Sequence, residues 1–239
     1  MTAREIMRRF HGGLLVSCQP APGGPFDTPR DVAGFAAAAL KGGARGVRIE
    51  GLANIREVRR TIDQPIIGLV KRREEGVEIY ITPTPTDIAA VAAAGACVIA
   101  FDGTNRPRAA SVKEMIACVH EHGCLAMADV STYAEGLQAF ELGSDYVGTT
   151  LSGYTPYSRD GEAPDFELVR ALAQAQVRVI AEGRLNTPAL ARRALDLGAF
   201  AVTVGTMITR PECITRAFVG AMEGTRLPPD VPRDPDVTT

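Results

Sequence analysis

Polar side chains stand at the ends of five short apolar runs: Gln19, Glu50 with Arg48 two residues before it, Lys71, Asp129 and Glu182. Amines and carboxyl groups are the residue types that general acid–base catalysis uses, and arginine and glutamine can donate hydrogen bonds to a developing oxyanion. None of these residues is informative alone. Together they predict a site of ionisable groups, provided that the fold brings the five ends to one place.

The apolar runs must position these groups as strands do. Side chains alternate along a strand, so every second residue points the same way. Lys71 then shares its face with Leu69 and Ile67, and Asp129 shares its face with Met127. The pattern predicts an apolar interior that is capped by ionisable groups.

Short β-branched runs alternate with longer Ala-rich amphipathic segments from Leu14 to about Val204, which is typical of strands that are each followed by a helix. The predicted strands are 14–19, 46–50, 65–71, 97–102, 124–129, 145–149, 177–182 and 200–205. The predicted helices are 31–41, 54–62, 87–94, 112–121, 133–142, 165–173, 188–197 and 211–222. We also expect a short helix within the first ten residues, across the floor of the domain.

Eight strand and helix pairs predict an α/β fold, a closed (β/α)8 TIM barrel that forms one catalytic domain over residues 1–225, with a Pro- and Asp-rich tail at 226–239. Strands three and seven are four steps apart in such a ring. Lys71 and Glu182 would therefore face each other across the mouth, with Arg48 and Asp129 nearer to Lys71. The alternative is an open doubly wound sheet, which predicts a glycine fingerprint after the first strand, where residues 18–24 carry two prolines instead.

A pair of small residues recurs before every second strand, which favours the closed ring over the open sheet. The pairs are Gly43-Ala44, Gly95-Ala96, Gly143-Ser144 and Gly198-Ala199. A repeating unit of two modules suits a ring of four pairs. Each glycine is expected just past a helix end, in the left-handed conformation that glycine adopts at little cost.

Composition excludes several classes of protein. The chain of 239 residues is 46% hydrophobic with a net charge of −2, which excludes disorder. The near-neutral charge and the 5% aromatic content argue against nucleic acid as a partner. The longest uncharged apolar stretch, 88–101, is shorter than the roughly 20 residues of a membrane-spanning helix, so no membrane is expected. A homodimer is left open.

Cysteine and histidine placement argues against a disulfide framework or a zinc site. The cysteines are dispersed, with no pair separated by two residues: Cys18, Cys97, Cys118, Cys124 and Cys213. Reduced thiols in the cytoplasm are expected. His120 and His122 are two residues apart, whereas two zinc ligands on one helix face are four apart, so a solvated helix end is expected there.

Glycine and arginine follow the last two predicted strands. Barrels often bind phosphate there, because backbone N–H groups and a helix N-terminus supply positive potential. Gly183, Gly205 and Thr206 are the candidate backbone contacts, and Arg184 and Arg210 add full charges. The alternative is that these glycines are ordinary turn residues. The long loop from Thr150 to Pro164 is a candidate lid over the mouth.

Each polar strand end also has a structural explanation. Lys71 could be a solvated end residue, and Glu182 could be a loop residue or a helix cap. Asp129 could cap the helix that begins near Thr132. Arg48 and Glu50 could form an ion pair. The shared inward direction of the strand ends favours a site over these separate explanations.

The chain resembles the N-acetylmannosamine-6-phosphate 2-epimerases of sialic acid catabolism from about Gly13 to Arg216. The segments that carry the resemblance are VSCQ at 16–19, GVRIEG at 46–51, IGLVKR at 67–72, IYITPT at 79–84, ADVST at 128–132, DYVGTTLSGYT at 145–155, IAEGR at 180–184 and VGTMITRP at 204–211. The segment at 145–155 is the most specific of them. Two segments depart from the family pattern: 72–77 is unusually charged, and Thr206-Met207 is bulkier than the expected pair.

The resemblance implies a metal-independent isomerase that needs no cofactor, with a phosphorylated amino sugar as its substrate. Lys71 and Glu182 are then the catalytic acid/base pair. The implied substrate shell is Gln19, Arg48, Asp129 and Arg184. Burial of Lys71 beside Arg48 is expected to favour its neutral form, and Asp129 is expected to bond to Lys71 or to a sugar hydroxyl.

Two rival functions remain open at this point. A Schiff-base lyase would use Lys71 to attack a sugar-phosphate carbonyl, but it needs no second group across the ring. A non-catalytic sugar-phosphate sensor would keep the pocket and lose the chemistry. The presence of both Lys71 and Glu182 argues against the sensor.

Overall fold

The computed structural model describes residues 1–73, 77–159, 161 and 163–224. Eight parallel strands pair in sequence order and close into a barrel in which β1 pairs with β8. The strands are β1 Gly13–Cys18, β2 Gly46–Glu50, β3 Ile66–Leu69, β4 Val98–Asp102, β5 Leu125–Asp129, β6 Tyr146–Gly148, β7 Val179–Ala181 and β8 Ala201–Val204. The predicted (β/α)8 barrel is confirmed, and the open sheet is excluded.

Helices alternate with the strands in the predicted order. They are α1 Ala3–Phe10, α2 Pro29–Lys41, α3 Leu52–Thr61, α4 Pro85–Ala94, α5 Val112–Glu121, α6 Tyr133–Glu141, α7 Phe166–Gln174, α8 Pro188–Asp196, α9 Thr206–Thr209 and α10 Pro211–Met222. The short helix α9 was not predicted, since its four residues carry no amphipathic period. The predicted tail at 226–239 and part of the charged segment 72–77 lie outside the described residues.

Alternate residues of each strand face the lumen and the helices. The lumen cluster contains Leu15, Ile67, Leu69, Met127 and Ile180, each of which is at most 7% exposed. Their neighbours on the strands belong to a second cluster beneath the outer helices. The prediction that these apolar residues point into the lumen is therefore confirmed.

Helix α1 closes the N-terminal end of the barrel, as expected. Its capping box joins Thr2 and Glu5, and its residues Ile6 and Phe10 are buried. The Phe10 ring lies 5.8 Å from that of Tyr146, which is the first residue of β6. The apolar plug at this end leaves the opposite end, where the strands terminate, as the open mouth.

The four repeated glycines adopt the left-handed conformation that the repeat predicts. The φ angles are 101° at Gly43, 109° at Gly95, 104° at Gly143 and 97° at Gly198. Each glycine lets the chain leave a helix and enter the next strand within two or three residues. Among the described residues, no helix is long and apolar enough to cross a bilayer.

Alanine at two of these glycines should separate backbone strain from packing. Gly43→Ala should lower the free energy of unfolding by about 1 kcal/mol, because its β-carbon would meet open space and only the left-handed φ is penalised. Gly95→Ala should cost more, since its β-carbon would lie 2.7 Å from Cγ of Arg59. Urea denaturation with an unchanged m-value would measure both; equal losses would contradict the packing contribution.

Candidate active site

A cavity of about 180 Å³ opens at the C-terminal ends of the strands. Nine of the ten residues predicted for the site line it. They are Gln19, Arg48, Lys71, Glu182, Gly183, Arg184, Gly205, Thr206 and Arg210. Asp129 is the exception. The polar strand ends therefore meet in one place, although their roles toward a substrate remain predictions.

Arg48 is the centre of this arrangement. Its side chain points inward from β2 and the residue is 1% exposed. Its Nη2 lies 2.6 Å from Oδ2 of Asp129 on β5, and its Nη1 lies 2.9 Å from Oε2 of Glu182 beyond β7. Burial disfavours the charged guanidinium, but the charges of the two carboxylates outweigh burial and raise the pKa of Arg48. The alternative ion pair with Glu50 is not formed.

Glu182 is fixed through its backbone and its carboxylate. The Thr149 hydroxyl accepts a hydrogen bond from the N–H of Glu182 at 3.0 Å and donates one to its carbonyl oxygen at 2.8 Å. Burial raises the pKa of the Glu182 carboxyl, Arg48 opposes that rise, and the charge of Asp129 adds to it. The net shift is upward, so Glu182 keeps its proton to a higher pH than an ordinary carboxyl group does.

Asp129 lies behind Arg48, away from the cavity wall. It is completely buried, and both of its oxygens accept hydrogen bonds from Arg48, at 3.1 and 2.6 Å. It does not cap the next helix, because Thr132 supplies that cap through the N–H of Glu135. Asp129 is thus placed to hold Arg48 rather than to touch a ligand in the cavity.

Lys71 reaches the cavity from a short return of the chain after β3. The strand ends at Leu69, earlier than predicted, and Lys71 then forms an antiparallel bridge with Ile81. The N–H of Lys71 donates to Oε1 of Glu50 at 3.3 Å. The residue is exposed, so its expected burial beside Arg48 is wrong. The cause is this return of the chain, which carries Lys71 out of the barrel and onto its rim.

Lys71 and Glu182 nevertheless occupy facing sides of the mouth. They follow β3 and β7, which are four positions apart in the closed ring of eight. Both line the same cavity, and the charge of Lys71 lowers the pKa of Glu182. One wall therefore presents an exposed lysine, and the opposite wall presents a carboxyl group whose side chain is 14% exposed.

The predicted phosphate residues line the cavity where the chain leaves β7 and β8. Gly183 has a φ of 107°, and a β-carbon there would meet no atom within 4 Å. Nε of Arg210 donates to the carbonyl oxygen of Gln19 at 3.0 Å, and Nη1 of Arg184 donates to that of Ser152 at 2.9 Å. Both arginines are held by backbone groups, so their charges remain available to an anion.

The first part of the β6–α7 loop is fixed by hydrogen bonds. Ser152 donates to Asp165 at 2.7 Å, and the Tyr157 hydroxyl donates to Oε1 of Glu135 at 3.1 Å. Glu135 also accepts backbone N–H groups from 105, 131 and 132, and it is 2% exposed. These bonds tie the candidate lid to the two preceding loops at the mouth.

Sequence reasoning missed two features of the mouth. Thr150 and Tyr80 line the cavity, but neither stands at the end of an apolar run. Asp102 does end β4 on the inward parity, yet Arg106 and Arg108 bind its carboxylate. The local sequence pattern could not distinguish Asp102 from Asp129, because each is the last residue of a strand. They differ in which arginines bind them.

Comparison with known proteins identifies the family to which this barrel belongs. The family model described as "NanE: Putative N-acetylmannosamine-6-phosphate epimerase" matches residues 32–224. The chain belongs to this epimerase family. The resemblance noted in the sequence is thereby confirmed.

Individual epimerase relatives match over nearly their whole length. A relative from Yersinia pseudotuberculosis serotype O:1b (strain IP 31758), named "Putative N-acetylmannosamine-6-phosphate 2-epimerase", is 52% identical over 219 residues, covering 92% of this chain and 94% of the relative. A Yersinia pestis relative of the same name has the same identity and coverage. The solved N-acetylmannosamine-6-phosphate 2-epimerase of Clostridium perfringens has a TM-score of 0.88 and 42% identity, covering 90% of this chain and 96% of that one.

Removing the Asp129 carboxylate should destabilise this epimerase-family barrel. Asp129→Asn leaves a fully buried guanidinium with a single carboxylate, so we expect a loss of about 3 kcal/mol of unfolding free energy. The exposed pair of Arg60 and Glu57 is the matched control, and Glu57→Gln should cost less than about 1 kcal/mol. Urea unfolding measures both; similar values for the two variants would show that Asp129 does not support Arg48.

Proposed function

We propose that this chain interconverts N-acetyl-D-mannosamine 6-phosphate and N-acetyl-D-glucosamine 6-phosphate by moving the proton on C2. The observation that carries the proposal is the amine of Lys71 and the carboxyl of Glu182 on facing sides of one cavity, in a chain of this epimerase family. We infer that the reaction belongs to amino sugar and sialic acid catabolism, in the cytoplasm. The dispersed free cysteines suit that location.

The chemistry requires groups on both faces of the substrate. In the open-chain sugar, C2 lies next to the C1 aldehyde, so removal of its proton leaves a planar enolate. Return of a proton to the opposite face inverts C2. In this proposal neutral Lys71 removes the C2 proton of one epimer, and protonated Glu182 donates a proton to the opposite face of C2. The roles are exchanged in the reverse direction.

The unequal environments of the two groups suit these roles. Glu182 is largely buried, with 14% of its side chain exposed, and this burial raises its pKa and helps it to remain a proton donor, while Lys71 is exposed. A general acid works best when its pKa lies near the working pH, so the raised pKa of Glu182 suits proton donation. The proposal also requires that the bound sugar exclude water from Lys71, because desolvation favours the neutral amine.

Arg48 and Gln19 are proposed to stabilise the oxyanion on C1. Arg48 lines the cavity, and its Nε forms no hydrogen bond with any residue in the described part of the chain. Its charge is held in place by Asp129 before the substrate arrives, so little reorganisation is needed when negative charge develops. Gln19 is oriented by a hydrogen bond from its Nε2 to the Ser17 hydroxyl at 2.9 Å.

The phosphate group is proposed to bind at the end of the cavity formed by Gly183, Gly205 and Thr206. The glycines allow close approach to backbone N–H groups, and Arg184 and Arg210 supply positive charge nearby. Anchoring the phosphate there would place the rest of an open-chain sugar toward Lys71 and Glu182, which line the same cavity.

A deuterium experiment distinguishes the two proposed bases. Lys71→Met and Glu182→Gln should each lower the rate of epimerisation about a thousandfold. In heavy water, each variant should still exchange the C2 proton of one epimer, and the two variants should exchange opposite epimers. Proton NMR follows both events, and Lys41→Met on the exposed end of α2 is the control.

Exchange of the same epimer by both variants would contradict bases on opposite faces. A substrate adduct that borohydride traps on Lys71 of the wild-type protein would indicate the Schiff-base lyase instead. Binding of both sugar phosphates by the wild-type protein without any exchange would indicate the sensor.

Removal of a phosphate-binding charge should weaken the preference for phosphorylated sugar. Arg210→Gln should raise KM for N-acetylmannosamine 6-phosphate about tenfold and leave activity on the unphosphorylated sugar nearly unchanged, since only the former carries the anion. Steady-state kinetics on both sugars measures the ratio. Arg192→Gln is the control, as Arg192 is 75% exposed in its pair with Asp196. Equal effects on the two sugars would place the phosphate elsewhere.

A further inference from the structure

Thr150 lies between the two carboxylates that share Arg48. Its Oγ1 is 2.8 Å from Oδ1 of Asp129, 3.3 Å from Oε2 of Glu182 and 3.5 Å from Nη1 of Arg48. The residue follows Thr149 directly, and its side chain lines the cavity, which Asp129 does not. Of these two adjacent threonines, Thr149 binds the backbone of Glu182, and Thr150 lies within hydrogen-bond distance of both carboxylates.

The hydroxyl of Thr150 has one proton and cannot donate to both carboxylates at once. The shorter contact assigns that proton to Asp129. Asp129 then accepts three hydrogen bonds, two from Arg48 and one from Thr150, whereas Glu182 accepts one charge-assisted bond, from Nη1 of Arg48 at 2.9 Å. Hydrogen bonds to an ionised carboxylate stabilise the anion, so the two carboxylates are stabilised unequally.

We propose that Thr150 is a positioning residue whose hydroxyl keeps Asp129 ionised, so that a proton taken up by the carboxylate pair goes to Glu182 on the cavity wall. The inference rests on the proposed function, in which Glu182 is the group that must carry this proton. A proton on Asp129 would be useless to the reaction, because Asp129 is fully buried and does not reach the cavity.

The charged and titratable groups around Thr150 come from several elements. Arg48 on β2 and Asp129 on β5 lie beneath it, and Glu182 follows β7. Lys71 acts on Glu182 from the rim, and Tyr80 acts on Arg48. Arg48 and Lys71 lower the pKa of Glu182, while the charge of Asp129 raises it. Thr150 is the uncharged donor that makes the pair unequal.

Two variants test the hydroxyl: Thr150→Val replaces it with a methyl group of similar size, and Thr150→Ser keeps it while losing the methyl group. Loss of a donor makes the ionised pair less stable, so the acid limb of the kcat/KM profile should move to higher pH in Thr150→Val, by about one unit. At a pH below that limb, kcat/KM should fall about tenfold relative to wild type, with KM changed less than about threefold. Thr150→Ser keeps the hydroxyl, so its acid limb should coincide with that of the wild type.

Two further variants protect this test from folding effects. Thr150→Ala also lacks the hydroxyl and must move the limb in the same direction. Thr149→Val frees the backbone of Glu182 but leaves every donor to the carboxylates, so it should lower kcat and leave the limb in place. An equal shift in Thr149→Val would show that displacement of Glu182 is sufficient, and it would overturn the inference.

Other results would also overturn it. If the acid limbs of Thr150→Val and Thr150→Ser coincide, or if Thr150→Val raises KM without moving the limb, Thr150 is a substrate contact only. Epimerisation by the wild-type protein would still support the proposed function in either case. A wild-type protein that interconverts neither epimer would overturn both proposals.

Discussion

The buried guanidinium of Arg48 determines the arrangement of the mouth. It lies 1% exposed among two carboxylates from different strands, and it connects β2, β5 and the end of β7 across the barrel. Such a charge is stable inside a protein only if it is paired and hydrogen-bonded. The requirement to satisfy Arg48 therefore fixes where Asp129 and Glu182 can lie, and with them the shape of the cavity wall.

One cation between two carboxylates also leaves a deficit of positive charge. Asp129 receives two bonds from Arg48 and Glu182 receives one, and burial raises the pKa of Glu182 further. The two carboxyl groups are chemically similar, but they are stabilised to different degrees because they receive different numbers of hydrogen bonds. The more weakly held carboxyl group is the one that lines the cavity, which is where a proton could be used.

The opposite wall is built on another principle. Lys71 is carried by a return of the chain that pairs with Ile81, and Thr82 fastens this return to the barrel through a hydrogen bond to the carbonyl oxygen of Ala100 at 2.7 Å. The backbone is fixed, while the side chain is exposed at the rim. A substrate that enters the cavity would change the surroundings of Lys71 more than those of Glu182, whose side chain is only 14% exposed before it binds.

The sequence by itself determined the closed ring, the inward direction of the apolar residues that precede the polar strand ends, and the left-handed glycines, because strand alternation and glycine's freedom at positive φ are local properties. It also placed nine of ten predicted residues around one cavity, since parallel strand ends must meet at one end of a barrel. Only the tertiary structure decided that Lys71 is exposed, that Asp129 lies behind Arg48, that Asp102 belongs to other arginines, and that Thr150 bridges two carboxylates. These outcomes depend on which side chains from distant strands reach one another, and no local pattern encodes that distance.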